Sequence, residues 1–323
     1  MHQHDFYSLV TIFENYLNEH PPKGEPDTLY QPIHYINSLG GKRIRPVLLL
    51  MAYNIWHDNV TPALPAALAI EYFHNFTLMH DDIMDEAPLR RGKESVHLHF
   101  SKNAAILSGD AMLIKSFDLL IDLENRNKLG NSIAMVLAKT AIEICEGQQM
   151  DIDFEKLTAP TEAEYLEMIR KKTACLIGCS LRIGALLAGA SNEEANSLYS
   201  FGENIGLAFQ IQDDMLDTFG ETEVTGKQQG GDILRGKKNF PYVYAYNNMN
   251  ESEKQEFMRM YDEVALTKDV RKVTDRYHNL EIQKYVDKVS REYFEKAIEC
   301  LNVVAKNGSE LRKFAEEIMG RRN

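Results

Sequence analysis

The chain is poor in cysteine. Cys145, Cys175, Cys179 and Cys300 are scattered over 323 residues, too few and too dispersed for a disulfide framework, which points to a reducing compartment. Cys175 and Cys179 stand at helical i,i+4 spacing, but no His or Cys partner lies near them, so they read as core thiols and not as metal ligands. A basic excess is also missing. The 36 Lys and Arg against 48 Asp and Glu leave a formal net charge of −12, which argues against nucleic acid or anionic lipid as the main partner, since both reward clustered positive charge. No window approaches the ~18 uninterrupted apolar residues that span a bilayer. The N-terminal MHQHDFYSLVTIF has no basic stretch leading into a long apolar one, so a cytoplasmic protein without a stable membrane anchor is expected.

Alternating apolar and polar runs rich in Val, Ile and Thr are absent too, whereas apolar residues recur at helical spacing almost throughout. The chain therefore reads as all-α. Thr61-Pro62 marks a helix opening that runs through about Asp85. Further helices are expected over 5–19, 28–38, 44–57, 101–124, 129–154, 161–189, 192–219, 238–248, 250–264, 267–277, 280–304 and 307–319. Several are long and apolar over much of their circumference, as central helices of a bundle are. No Ser- or Pro-rich linker divides the chain, so residues 1–323 are read as a single domain. The one long polar, glycine-rich loop is GETEVTGKQQGGDILRGK at 220–237, and a loop of that length is usually functional or disordered.

Acid clusters carry the chemistry. DDIMD at 81–85 recurs in spacing as DDMLD at 213–217, each ending a long apolar helix. Around a helix the first and last Asp of such a motif lie about 40° apart, while the middle one is turned about 100° from the first. Asp81 with Asp85, and Asp213 with Asp217, can therefore each grip an ion. Oxygen-only donors favour a hard cation, and Mg²⁺ takes its remaining ligands from water and substrate phosphate. One DDxxD is equally well a solvated helix end; two with one spacing in apolar helices are not. A phosphate held by metal needs further cations. GGKRIRP at 40–46 supplies Lys42, Arg43 and Arg45 after two glycines and before a proline-started helix. Arg90 and Arg91 follow the first acid cluster, and Lys227 and Lys237 flank the glycine-rich loop after the second. Arg suits bidentate phosphate contact and Lys a point charge.

GGKRIRP, HNFTLMHDDIMDEAPLRRG, EGQQMD, RKKT, FQIQDDMLD and the GKQQGGD…GKKNFP loop stand in the order and approximate spacing of the trans-isoprenyl diphosphate synthases, which the chain resembles by motif over about residues 40–241. The resemblance implies the isoprenoid synthase fold, a bundle of long helices around a central cavity. It implies head-to-tail condensation of isopentenyl diphosphate with an allylic diphosphate (dimethylallyl, geranyl or farnesyl), three Mg²⁺ ions and a homodimer. By position, Asp81 and Asp85, supported by Asp82, resemble the ligands of two Mg²⁺ ions, and Asp213 with Asp217 those of a third. Lys42, Arg45, His74 and Arg91 resemble the isopentenyl diphosphate pocket. Arg90, Lys172, Lys227 and Lys237 resemble the holders of the allylic diphosphate, and Thr173 and Gln210 the groups that face the reacting carbons.

Diphosphate leaves only when its charge is neutralised, and the allylic cation left behind must be kept from water, which an apolar bundle interior does. No side-chain general base is needed, consistent with the lack of a Ser-His-Asp or Cys-His pattern. On the helix 62–85, Phe76 lies about 7.5 Å and Phe73 about 12 Å below Asp81, so a ring there can floor a hydrocarbon pocket. In the family, an aromatic residue at the fifth position before the motif and a small one at the fourth, here Phe76 and Thr77, resemble the C20-forming type. Geranylgeranyl diphosphate is the expected product and farnesyl diphosphate the alternative. The loop departs from the family with Gln228 where Pro is frequent and Asn239 where Thr is common. Arg321 or Arg322 of the C-terminal GRRN could add to the isopentenyl diphosphate pocket, and His97 and His99 lack a third partner for a metal site. Rival readings are a class I terpene cyclase, which needs no second diphosphate pocket, and a non-catalytic prenyltransferase subunit or helical metal-binding scaffold.

Overall fold

The computed structural model describes residues 4–129, 133–157, 159–220, 230–304 and 308–320. Among these residues the regular structure is helical apart from one antiparallel hairpin of two-residue strands, in agreement with the all-α reading. The chain divides into two compact units, one of Met1–Lys139, Cys179–Tyr199 and Val304–Leu311, the other of Thr140–Gly178, Ser200–Val303 and Arg312–Asn323.

In the first unit, α1 (Phe6–Glu19), α2 (Asp27–Ser38), α3 (Ile44–Asn54), α4 (Leu64–Met84) and α6 (Lys102–Asn127) are the main helices, with a four-residue α5 (Val96–His99) between α4 and α6. Thr61–Ala63 forms a tight 3₁₀ turn that carries Pro62 into α4, since a proline at a helix start loses no hydrogen bond. Ser101 starts α6 by accepting the Ala104 N–H at 3.1 Å, and Lys128 ends it in the left-handed conformation. α4 is buried nearly all round over Ala66–Phe73, so it must be surrounded by other helices, and it packs along α6 and α3. Its buried Glu71 accepts Arg43 Nη1 at 2.5 Å, while Arg43 Nε reaches Glu14 at 2.7 Å. That pairing stops an ionised carboxylate from standing alone in the core.

The second unit contains the C-terminal part of α7 (Ile133–Phe154), α8 (Glu162–Ile169), a π-helical turn at Arg170–Ala174, the start of α9 (Cys175–Leu187) and most of α10 (Asn192–Phe219). After α10 come α11 (Gly231–Leu234), α12 (Phe240–Asn247), α13 (Glu251–Thr267), α14 (Arg271–Asn279), α15 (Ile282–Cys300) and α16 (Ser309–Gly320). The single helix expected over 161–189 is thus interrupted by the π turn. Capping boxes at Thr161/Glu164 and Asn250/Glu253 start α8 and α13. The core of this unit is aromatic, with Tyr165, Phe240, Tyr242, Phe257 and Tyr277 buried together. No helix among the described residues is long and apolar enough to cross a membrane.

Candidate active site

The first acid motif closes α4. Asp81 and Asp85 lie toward its end, where the Asp85 N–H donates to the Asp81 carbonyl at 2.8 Å. Asp81 is half-buried and Asp85 exposed. Asp82 is turned inward and only 1% exposed, and Arg90 Nε contacts both of its carboxylate oxygens, at 3.0 and 3.2 Å. Arg90 and Arg91 reach this position on the hairpin Leu89–Arg90/Lys93–Glu94, which two-residue strands leave invisible to any periodicity argument. On the same unit, Arg45 Nη1 lies 3.2 Å from His74 Nε2. Burial holds the His74 imidazole well below its ordinary pKa, and Arg45, Arg91, Arg90 and Arg43 push it further in that direction. Neutral His74 can accept from Arg45 while the guanidinium keeps its charge for an anion.

Gly41 makes room for the neighbouring cation. A Cβ at Gly41 would stand 2.7 Å from the Arg91 guanidinium carbon, and its φ of +142° is one that L side chains rarely adopt. Lys42 beside it is exposed. Arg43, which the sequence offered as a further anion contact, is instead consumed by Glu14, Glu71 and the Asn37 carbonyl. The signal was Glu71, a lone carboxylate in a helix otherwise apolar at that level.

In the second unit, an open cavity of about 280 Å³ is lined by Asp213, Asp214, Asp217 and Asp232, by Lys172, Lys237 and Lys238, and by Thr173 and Gln210. Lys172 and Thr173 sit on the π turn, whose extra residue re-aims side chains. Two glycines let neighbouring helices touch that turn: a Cβ at Gly147 would lie 2.4 Å from Lys172 N, and one at Gly206 2.8 Å from the Ala174 Cα. An isolated glycine within a long apolar helix, such as the one in EGQQMD, is the sequence mark of such an approach. Lys172 Nζ pairs with Asp151 at 2.5 Å.

Asp217 Oδ2 accepts the Asp232 N–H at 2.7 Å, which ties the described end of the polar loop to the acid motif. Asp214, the middle residue, is buried and fully engaged. It accepts the Tyr165 hydroxyl and, at 3.0 Å, the Phe240 N–H on Oδ2, and Gln210 Nε2 at 3.2 Å on Oδ1. Burial pushes its carboxyl up to about 7 despite those donors. Asn239, where the resemblance leads one to expect Thr, caps α12 by accepting the Tyr242 N–H at 3.3 Å and donates to Asp232, a capping role that Asn fills as well as Thr. Sequence reading missed the contributions of Tyr165 and Phe240.

Phe76 meets Phe73 edge-on, 5.6 Å between ring centres, and His80 at 4.8 Å, while Thr77 donates to the His74 carbonyl at 2.8 Å. His99 is stacked on Tyr35 and paired with Glu94. Lys227, Gln228, Arg321 and Arg322 lie outside the described residues. Among the described residues no group of three or more His, Cys, Asp or Glu side chains converges into a ready-made metal cage. What each motif offers is carboxylate oxygen alone, a donor set that fits a hard cation completed by water and phosphate.

The described residues thus combine a helical fold, an arginine–histidine cluster and a cavity lined by carboxylates and lysines. Residues 26–280 match the polyprenyl synthetase family, to which the chain belongs. It is similar to the geranylgeranyl diphosphate synthase of Methanosarcina mazei, with 44% identity over 230 residues, 71% of each chain. Among solved structures, geranylgeranyl pyrophosphate synthetase from Pyrococcus horikoshii superimposes with a TM-score of 0.88 at 33% identity, over 98% of both chains. The polyprenyl synthase of Caulobacter crescentus, complexed with calcium and isoprenyl diphosphate, does so with a TM-score of 0.84 at 26% identity over the whole of both chains.

Proposed function

We propose that the protein condenses isopentenyl diphosphate head to tail with an allylic diphosphate to give a short-chain all-trans prenyl diphosphate, with geranylgeranyl diphosphate, C20, as the main product. The observation that carries this reading is that Lys172, Thr173 and Gln210 line the same cavity as the second acid motif, in a member of the polyprenyl synthetase family. Cations for a leaving diphosphate and oxygen dipoles for a carbon cation then share one space.

Asp81 and Asp85 on one motif and Asp213 and Asp217 on the other are the residues that would hold Mg²⁺, three ions in all with substrate present. When bound, Mg²⁺ supplies neutralisation of the charge that builds on the departing diphosphate oxygen. Asp82 and Asp214, the middle residues, do internal work: one anchors Arg90, the other Gln210. Lys172, Lys227 and Lys237, with Arg90, bind the allylic diphosphate. Lys42, Arg45, His74 and Arg91 bind that of isopentenyl diphosphate, with His74 as a neutral spacer that orients Arg45. The Thr173 hydroxyl oxygen and the Gln210 carbonyl lie where an allylic cation passes, and aliphatic and aromatic walls withhold water from it. The isopentenyl double bond attacks, and the proton lost from the new chain goes to the released diphosphate. Phe76, backed by Phe73 and with the small Thr77 beside it, floors the tail pocket.

A homodimer is part of the proposal. Leu107, Ile114 and Ile121 recur every seventh residue along α6 and are 59%, 67% and 47% exposed, an apolar row that a second copy would cover. The four cysteines form no disulfide among the described residues, which fits a cytoplasmic setting. The test is diphosphate release from farnesyl diphosphate and Mg²⁺ with and without isopentenyl diphosphate. Release that depends on both substrates supports the synthase, whereas release from the allylic substrate alone, with a hydrocarbon product, makes the protein a cyclase. A partner subunit would release nothing.

A further inference from the structure

A primary amide has two ends of nearly equal shape and opposite polarity, so a Gln side chain at a reaction centre helps or hinders according to which end faces inward. Gln210 borders the cavity together with Thr173. One of its ends is committed: Nε2 lies 3.2 Å from Asp214 Oδ1, one turn further along α10. Asp214 in turn is fixed from behind, because its Oδ2 accepts both the Tyr165 hydroxyl and the Phe240 N–H. The Phe240 N–H can only donate, so Oδ2 is held as an acceptor, and Oδ1 is the oxygen left to take the Gln210 Nε2–H.

We propose that Asp214, held by Tyr165 and the Phe240 backbone, is a positioning residue that sets the orientation of the Gln210 amide, keeping the carbonyl oxygen toward the reacting carbons and the NH₂ away from them. The inference rests on the synthase reading, in which a carbocation forms beside Gln210. A carbonyl dipole aimed at that charge stabilises the transition state; an NH₂ in its place opposes it. It also explains why the motif spends a buried carboxylate on a residue turned away from the first and last Asp. Replacing Asp214 by Asn keeps the shape but reverses the sense. The Asn carbonyl must meet the Tyr165 and Phe240 donors, its own NH₂ then faces Gln210, and the Gln210 amide turns over to accept it.

The test is a double-mutant cycle on the full-length protein with Mg²⁺ at pH 8, measuring kcat, both KM values and thermal melting for the wild type, Asp214→Asn, Gln210→Leu and the pair. In the wild-type background Asp214→Asn is expected to lower kcat at least about tenfold with both KM values held within about twofold. In the Gln210→Leu background it is expected to cost nothing further. An unchanged kcat, or an equal loss in both backgrounds, overturns the inference. Neutron diffraction on the wild type with a non-ionising allylic analogue reads the same point directly, whatever the folding of the variants: the amide deuterons belong on the Asp214 side of Gln210, and their presence on the cavity side overturns it. A wild type that never condenses the two substrates defeats the synthase reading instead, and leaves the amide orientation to be decided by diffraction.

Discussion

Arg90 closes on Asp82 from the hairpin beyond the helix end, its Nε 3.0 Å from one carboxylate oxygen and 3.2 Å from the other. The Asp82 side chain is 1% exposed and the Arg90 side chain 29%. The pair gives the middle residue of the acid motif an internal partner and fixes the Arg90 guanidinium beside the helix end.

Removing Arg90 therefore strands a buried carboxylate. Arg90→Ala is expected to lower unfolding free energy by about 2 kcal/mol, less than for a fully buried pair because Arg90 is partly solvated. Asp82→Asn, which keeps an acceptor, is expected to cost less. Urea denaturation of the two variants checks the order. Equal stability of Arg90→Ala and wild type would mean that the ion pair carries no load.

His74 gives a pH signature. Its native pKa is depressed by burial and by the arginines around it, whereas in the unfolded chain it titrates near 6.5. The native state thus binds fewer protons below that pH. Stability is full above about pH 6.5 and falls as pH drops below it, by up to about 1.4 kcal/mol per unit, until the native pKa is passed. His74→Gln is expected to flatten this part of the profile relative to wild type. A His74 ring that titrates at or above 6.5 in an NMR titration contradicts the Arg45–His74 arrangement.

The π turn depends on missing side chains. Gly147→Ala puts a methyl 2.4 Å from Lys172 N, so the turn or the helix must shift. The expected cost is roughly 1–3 kcal/mol of stability and a fall in kcat as Lys172 and Thr173 move. Full activity in Gly147→Ala would show that the turn has slack.

Phe76 is the expected ruler. Truncation to Ala opens the space that its ring fills against Phe73 and His80. Products longer than those of wild type are then expected by mass spectrometry, and an unchanged product length in Phe76→Ala removes the floor from the account.

The helical architecture was legible because apolar residues at helical spacing betray buried faces, and the two matching DDxxD motifs were legible because their spacing on a helix is fixed by geometry. Even the divergence of the middle Asp was implied by its turn of about 100° from the first. What it turned toward was not, since Tyr165 and Phe240 reach Asp214 from 49 and 26 residues away. Arg43 misled for the same reason. Its proximity to Lys42 and Arg45 in the chain said nothing of Glu71, which meets it across the fold. The break in the helix expected over 161–189 was hidden because a π turn inserts one residue without a Pro or Gly to announce it. Helix ends moved by a few residues, as at α3, which stops at Asn54, because caps and neighbouring chain decide them.

The most direct measurement is the product of the purified protein supplied with isopentenyl diphosphate, farnesyl diphosphate and Mg²⁺. The account predicts release of one diphosphate per condensation, accumulation of all-trans geranylgeranyl diphosphate, and loss of both on chelation of the metal. No diphosphate release with any allylic primer from C5 to C15, or products of C30 and beyond from the wild type, would contradict it.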